Sequence, residues 1–299
     1  MIRAISYIAI IVLGYCLRRA GFFKSEDFGV LSKIVLKITL PAAIVTNFAS
    51  FQMEPSMLTL AIPGFLGGAG LILLGLVANA RGTKSERAFA VMNIAGYNIG
   101  NFTMPFAQSF LGPMGVVTTS LFDTGNSVIC LGGAYSIAAM AKGEKSEAPI
   151  RTILGKLVRS VPFDTYVIMV LISLFRIPLP SVVTSFAGII GNANAFTAML
   201  MIGVGFKLSG DKSQIRQIAK ILSLRYGFAA VMAAGLFFLL PIDLGYRQAL
   251  AILCFSPIAS AAPAFTGMLG EDVGLASAVN SISIIISIVL ITATLLLVL

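Results

Sequence analysis

The 299-residue chain has no histidine, no tryptophan, three cysteines, and only 21 basic and 12 acidic side chains. Without histidine, the usual general base and the usual proton carrier near neutral pH are missing, so any proton coupling must use a carboxylate. Cys16, Cys130 and Cys254 each lie inside an apolar run and form no CxxC pair, which excludes a zinc cluster or a disulfide framework. No metal and no organic cofactor are expected. The shortage of charge is equally informative. With 58% hydrophobic residues, 11% charged residues and a mean hydropathy of +0.96, the chain holds more apolar sequence than a soluble core could bury, so its solvent is lipid. The net charge of +9 could suggest nucleic acid, but the basic residues are dispersed among loops, and no nucleic-acid partner is expected.

Apolar runs between charged or Gly/Pro-rich breaks place ten spans at about 4–20, 28–49, 57–79, 88–110 and 114–138, then 162–177, 182–206, 219–240, 246–268 and 274–298. No stretch remains for a soluble domain. The segment from Ala4 to Leu17 could pass for a signal-peptide core, but no small-residue cleavage site follows it, and it is expected to be a retained helix.

Fifteen basic residues fall in the connections after spans one, three, five and seven: Arg18, Arg19, Lys24, Arg81, Lys84, Arg87, Lys142, Lys145, Arg151, Lys156, Arg159, Lys207, Lys212, Arg216 and Lys220. The other connections and termini carry only Arg3, Arg176 and Arg247, while Lys33, Lys37 and Arg225 fall within apolar runs. Cytoplasmic loops carry the excess of Lys and Arg, which predicts both termini on the non-cytoplasmic side and an even number of spans.

The two groups of five spans also resemble each other. PFAQSFLG from Pro105 matches PAFTGMLG from Pro263, RAFAVM at Arg87 matches RQALAI at Arg247, and LRRAGFF at Leu17 matches LFRIPLP at Leu174, at offsets of 158, 160 and 157 residues. Five spans per half is an odd number, so the second half must be inverted. The expected organisation is a first repeat at 1–140, a cytoplasmic connection at 141–161 and a second repeat at 162–299.

Span four contains GYNIGNFTMP (Gly96 to Pro105), and span nine contains SPIASAAP (Ser256 to Pro263). Proline and glycine at mid-span predict helices broken there, and such breaks persist only against protein or a wet cavity. Isolated kinks in packed helices are the plainer alternative, but paired breaks at repeat-related positions point to a substrate site. Helices restarting after the breaks would aim their amide groups at the midplane, which favours an anion. The candidate binding residues are Asn98, Asn101, Thr103, Pro105, Ser256, Pro257, Ser260 and Pro263.

Asp123 is the one carboxylate clearly deep in a span, and is either a proton or cation site or a structural group held by Thr124, Asn126 and Ser127. Asn126 is grouped with it for ion coupling. Lys37, one turn before Pro41, is a candidate anion contact. Arg225 is expected to snorkel to the interface, and Asn192 and Asn194 to join helices by hydrogen bonds.

The chain resembles the auxin efflux carrier family, including its bacterial members. The likeness rests on LGYCLRRAGFFKSEDFGVLSKIVLKITLPAAIV near the start, NIGNFTMP in span four, IPLP before span seven, and GEDVGLASAVNSISIIISIVL near the end. It implies an all-α integral membrane protein with a ten-helix 5+5 inverted repeat similar to that of bile-acid sodium symporters, and with helices four and nine broken and crossing. It further implies a scaffold of spans one, two, six and seven, a transport unit of spans 3–5 and 8–10, elevator-type alternating access, a homodimer formed through the scaffold, and a bacterial inner membrane location. Asn98, seven residues before Pro105, occupies the family's substrate-binding asparagine position, and small carboxylates are the implied cargo. Thr103 stands where the family commonly has glycine. Pro257 and Pro263 are six apart, where the plant carriers space theirs by five.

A secondary carrier of a small organic anion, coupled to H+ or Na+, is therefore the expected function. A channel or a sodium-coupled bile-acid-like symporter is the alternative. An intramembrane aspartyl protease would need a second deep carboxylate and a serine protease a histidine, so no enzyme is expected.

Overall fold

The computed structural model describes residues 2–24, 26–143, 154–155, 157–206 and 214–298. Lys145, Arg151, Lys156, Lys207 and Lys212, all counted above for orientation, lie outside the described residues, as does most of the connection at 141–161.

Among the described residues, every regular element is helical, in the order α1 (Ile2–Arg19), α2 (Asp27–Ala49), α3 (Pro55–Ala78), α4 (Lys84–Ile94), α5 (Met104–Val128), α6 (Ala134–Lys142), α7 (Val161–Leu174), α8 (Ser181–Gly205), α9 (Ile215–Leu239), α10 (Leu244–Cys254), α11 (Ala262–Met268) and α12 (Val273–Val298). Each of the ten apolar runs read from the sequence is occupied by helix, continuous or interrupted. By length and composition, α2, α3, α8, α9 and α12 are long and apolar enough to cross a bilayer. The other runs are shorter, as in α7, or interrupted, as between α4 and α5 and between α10 and α11. Large apolar side chains face outward on several helices, among them Val77, Ile189, Val231 and Phe238. An apolar surface of that extent on an all-helical chain belongs in lipid, where helices satisfy their own backbone groups. The protein is an integral membrane protein.

Proline shapes the helices in two ways. Pro41 and Pro105 each follow a π-helical turn, at Val35–Thr39 and Ile99–Thr103. The wider turn accommodates a ring that lacks a backbone donor and crowds the preceding turn. Pro263 sits in the first turn of α11, where a missing N–H leaves no bond unmade. The breaks themselves lie upstream of these prolines, at 95–98 and 255–261. Within α5, Gly112 at φ 60° turns the chain sharply just before Pro113.

Two interfaces depend on backbone contact. A Cβ on Gly203 of α8 would lie 2.1 Å from the Ile11 carbonyl oxygen of α1, and one on Gly64 of α3 would lie 1.9 Å from the Phe122 carbonyl oxygen of α5. Small residues draw membrane helices together in this way by letting their backbones touch. Thr39 Oγ1 donates to Asn194 Oδ1 at 3.0 Å, joining α2 to α8, whereas Asn192 is exposed. The short helices α4 and α10 lie inside, with Ala88–Ile94 and Ala249–Cys254 buried, because their free ends expose backbone groups that hydrocarbon cannot satisfy.

Candidate functional site

The two helix breaks meet. Helix α4 ends at Ile94, after which Ala95 is extended and Gly96 takes φ +75° with Cys130 Sγ only 2.6 Å from where its Cβ would be. Helix α10 ends at Cys254 and helix resumes at Ala262. Between them, the Asn98 N–H donates to the Pro257 carbonyl at 2.9 Å. Thr103 and Ser256 hydroxyls share a 2.6 Å hydrogen bond, and Asn101 Nδ2 donates to Ser260 Oγ at 3.2 Å. Asn98, Asn101, Thr103, Ser256, Pro257 and Ser260 are thus brought into direct mutual contact in pairs, each pair joining one break to the other. Thr103, the departure from the family pattern, spends its hydroxyl on this bridge.

Beside the junction is a cavity of about 260 Å³, lined by Asn98, Ser260 and Pro263 together with Phe28, Met201, Ile202, Val204, Gly205, Ala264, Ser277, Asn280, Ser281 and Ile284. Its polar groups are amides and hydroxyls, and no charged side chain lines it. Asn101 Oδ1 is buried beside it with no hydrogen-bond partner among the described residues. Pro105 does not line it, and its carbonyl accepts from the Tyr7 hydroxyl of α1 at 3.3 Å, with Tyr7 also paired to Ser109. Lys37 is exposed on the π-helical turn of α2 and does not line the cavity.

Each break is held by an asparagine from a neighbouring helix. Asn126 of α5 accepts from the Tyr97 N–H at 3.0 Å and donates to the Tyr97 carbonyl at 2.9 Å. Asn280 of α12 donates to the carbonyls of Ile258 and Ala259 at 3.2 and 3.1 Å, and Ser283 Oγ accepts from the Ile258 N–H at 3.1 Å. Carbonyls and amides stranded by a broken helix thereby regain partners. Asp123 continues the first of these networks. Its Oδ1 accepts from Asn126 at 2.8 Å and its Oδ2 from the Tyr166 hydroxyl of α7 at 3.0 Å. Thr124 and Ser127 do not reach the carboxylate and bond to the backbone at Ser120 and Asp123.

Arg225 overturns its expected position. It does not snorkel. It is the eleventh of the 25 residues of α9, about 15 Å into the helix by its rise per residue, and is 1% exposed. Its Nη2 donates to the carbonyls of Ser256 and Pro257 at 2.8 and 3.1 Å, its Nη1 to the Ile94 carbonyl, and its guanidinium carbon lies 5.0 Å from the Tyr97 ring centroid. Snorkelling fails because carbonyls left open at the two helix breaks attract the guanidinium more strongly than distant water. Sequence reasoning also missed Asn280, although the pairs Asn126–Ser127 and Asn280–Ser281, 154 residues apart, carried the signal. Tyr166 had none, since its partner lies on another helix.

Among the described residues, no cluster of acidic, cysteine or histidine side chains could hold a metal ion. Amides, hydroxyls and backbone groups around a small cavity can bind and orient a polar solute by hydrogen bonds. The sequence matches the membrane transport protein family over residues 1–299. It is also 23% identical over 243 residues to an uncharacterized transporter of Methanothermobacter thermautotrophicus, covering 79% of this chain and 78% of that relative. The chain belongs to the membrane transport protein family, that of the auxin efflux carriers.

Proposed function

We propose that this transporter is a secondary carrier that moves a small organic anion by alternating access. The observation that carries the reading is the cavity at the meeting of the two breaks, where Asn98, Ser260 and Asn280 present polar groups, beside Pro263, to a space of about 260 Å³. Asn101, Thr103, Ser256 and Pro257 do not line it but join the two breaks beside it, and Pro105 bonds to Tyr7. The helix restarts at Ile99 and Ala262 contribute partial positive charge to the same region. Phe28, Val204 and Gly205, at the rim, lie at helix ends next to the basic connections, so the cavity faces the cytoplasm if those connections do.

In this reading the chain has ten spans in a 5+5 inverted repeat, with 1–140 and 162–299 as its halves and both termini outside the cytoplasm. Helices α4 and α10 are equal in length at 11 residues, and Gly112 and Gly270, 158 apart, both take positive φ, which supports the repeat. Helices α1, α2, α7 and α8 form the scaffold, through which two copies associate, and the rest form the transport unit. The contacts of Tyr7 with Pro105 and Ser109 and of Tyr166 with Asp123 lie on the boundary between them and must break when the unit slides. Asp123, bonded to Asn126 and through it to the break, is placed to couple H+ or Na+ to that movement.

Uptake of labelled small mono- and dicarboxylates into proteoliposomes tests the proposal. Asn98→Ala removes an amide that hydrogen-bonds a charged ligand, worth about 1.5–3 kcal/mol, so uptake at low substrate concentration should fall about 10- to 100-fold. Uptake unchanged by Asn98→Ala contradicts the site, and unitary current steps contradict a carrier.

A further inference from the structure

Arg225 is the largest fully buried side chain among the described residues, and the transport reading above leaves it without a task. Its surroundings define one. Helix α4 terminates against it at the Ile94 carbonyl, and on the α10 side it meets the Ser256 and Pro257 carbonyls, two and three residues past Cys254, where no helix supplies a partner. The α4 C-terminus carries roughly half a negative charge, and the Ser256 and Pro257 carbonyls add the negative ends of their own peptide dipoles. In water such ends are solvated. Here they are buried in a membrane protein, and one guanidinium carries one positive charge with five donors in a planar fork that can reach both. The Tyr97 ring adds a face for the cation. The Pro257 carbonyl that Arg225 holds also accepts from the Asn98 N–H, so the guanidinium fixes the backbone at the substrate cavity.

We propose that Arg225 is a built-in cation, a positioning residue that fastens the two helix breaks to α9 as a single moving body. It fills the carbonyl pocket that a free metal cation would otherwise take. Sodium, if it couples transport, therefore binds elsewhere. The proposal rests on the reading of the breaks as a transport site.

The test uses the full-length protein with Arg225→Ala and Arg225→Lys. Alanine opens a carbonyl-lined hole shaped for guanidinium. At about 10 mM, guanidinium chloride should raise the melting temperature of Arg225→Ala by about 2–4 °C over the same concentration of sodium chloride, and should not do so for the wild type. Carboxylate uptake by Arg225→Ala should fall at least about tenfold and recover in part with guanidinium. Arg225→Lys keeps the charge without the fork, so its uptake should lie between the two and not respond to guanidinium. Equal guanidinium shifts in wild type and Arg225→Ala, or wild-type uptake by Arg225→Ala, overturn the proposal. Should Arg225→Ala fail to fold, Arg225→Lys decides: lowered stability and uptake support the proposal, and wild-type values overturn it. If the wild type carries none of the carboxylates, the transport reading fails, while the guanidinium-specific stabilisation still judges Arg225 separately.

Discussion

The seam between α1 and α8 and the junction between the two helix breaks are both buried, yet they are held by opposite means. At the seam, Gly14 and Gly203 bring two continuous helices into backbone contact, and each helix already satisfies its own peptide groups. The seam needs shape alone. At the junction, α4 and α10 stop short, and the freed carbonyls and amides are recovered by side chains from elsewhere: Asn126, Asn280, Ser283 and Arg225. A shape-held interface suits a part that stays still. A junction whose bonds come from side chains can be rebuilt around a solute, and it sits beside the cavity.

Substitutions at the two regions should therefore fail differently. The largest effect is expected from Gly203→Val, whose Cβ falls 2.1 Å from the Ile11 carbonyl oxygen. Overpacking of this kind costs about 3 kcal/mol, and size-exclusion profiles should show loss of monodisperse protein together with loss of uptake. Next is Asn126→Ala, which leaves the Tyr97 N–H unpaired in a buried site and its carbonyl with only the weak Cys130 thiol at 3.7 Å. A cost of about 2–3 kcal/mol is expected, and uptake should fall by more than about tenfold in protein that still elutes as a single peak. If Gly203→Val and Asn126→Ala lose folding and uptake in the same proportion, the contrast between the two regions is wrong.

Thr103→Val is a smaller perturbation. It removes the bridge to Ser256, but the Ser256 hydroxyl keeps its 2.7 Å bond to the Leu253 carbonyl. About 1 kcal/mol should be lost in thermal unfolding. The smallest effect on transport is expected at the start of α4, where Thr83 and Glu86 form a capping box on an exposed turn. Thr83→Ala should cost about 1 kcal/mol of stability and leave uptake unchanged. The Thr83 backbone N–H, then its hydroxyl, hold the Glu86 carboxyl below its ordinary value. That contribution is present above the unfolded pKa and is lost as pH falls through the lower folded one. Glu86→Gln should therefore lower the melting temperature slightly at neutral pH and abolish the shallow acid-side decline, so that variant and wild type converge below the folded pKa.

Much of the fold was legible because lipid enforces a simple rule: apolar runs become helices, and their spacing reports the connections. The breaks were legible too, since Gly96, Pro105, Pro257 and Pro263 interrupt apolar runs that otherwise favour helix. Sequence put the prolines at the breaks, however, whereas the structure places Pro105 just after the π-helical turn that follows its break and Pro263 in the first turn of α11. Which groups satisfy a break was legible only where the partner is repeated, as with Asn126 and Asn280. The position of Arg225 in α9 tells its depth but not its direction, and the pull of the carbonyls at the two breaks is invisible until the breaks are assembled. Lys37 illustrates the converse, a charge in an apolar run that faces outward on a widened turn.

The central claim is that the junction of the breaks binds a small organic anion through Asn98. Its most direct test is the melting temperature of the purified wild type and Asn98→Ala across a panel of small carboxylates. Specific binding at about 100 times Kd stabilises the folded state by about 2.7 kcal/mol, which for a chain of this size is a rise of several degrees. The account predicts at least one carboxylate that produces this rise in the wild type and little of it in Asn98→Ala. A panel that shifts neither protein, or shifts both equally, contradicts it.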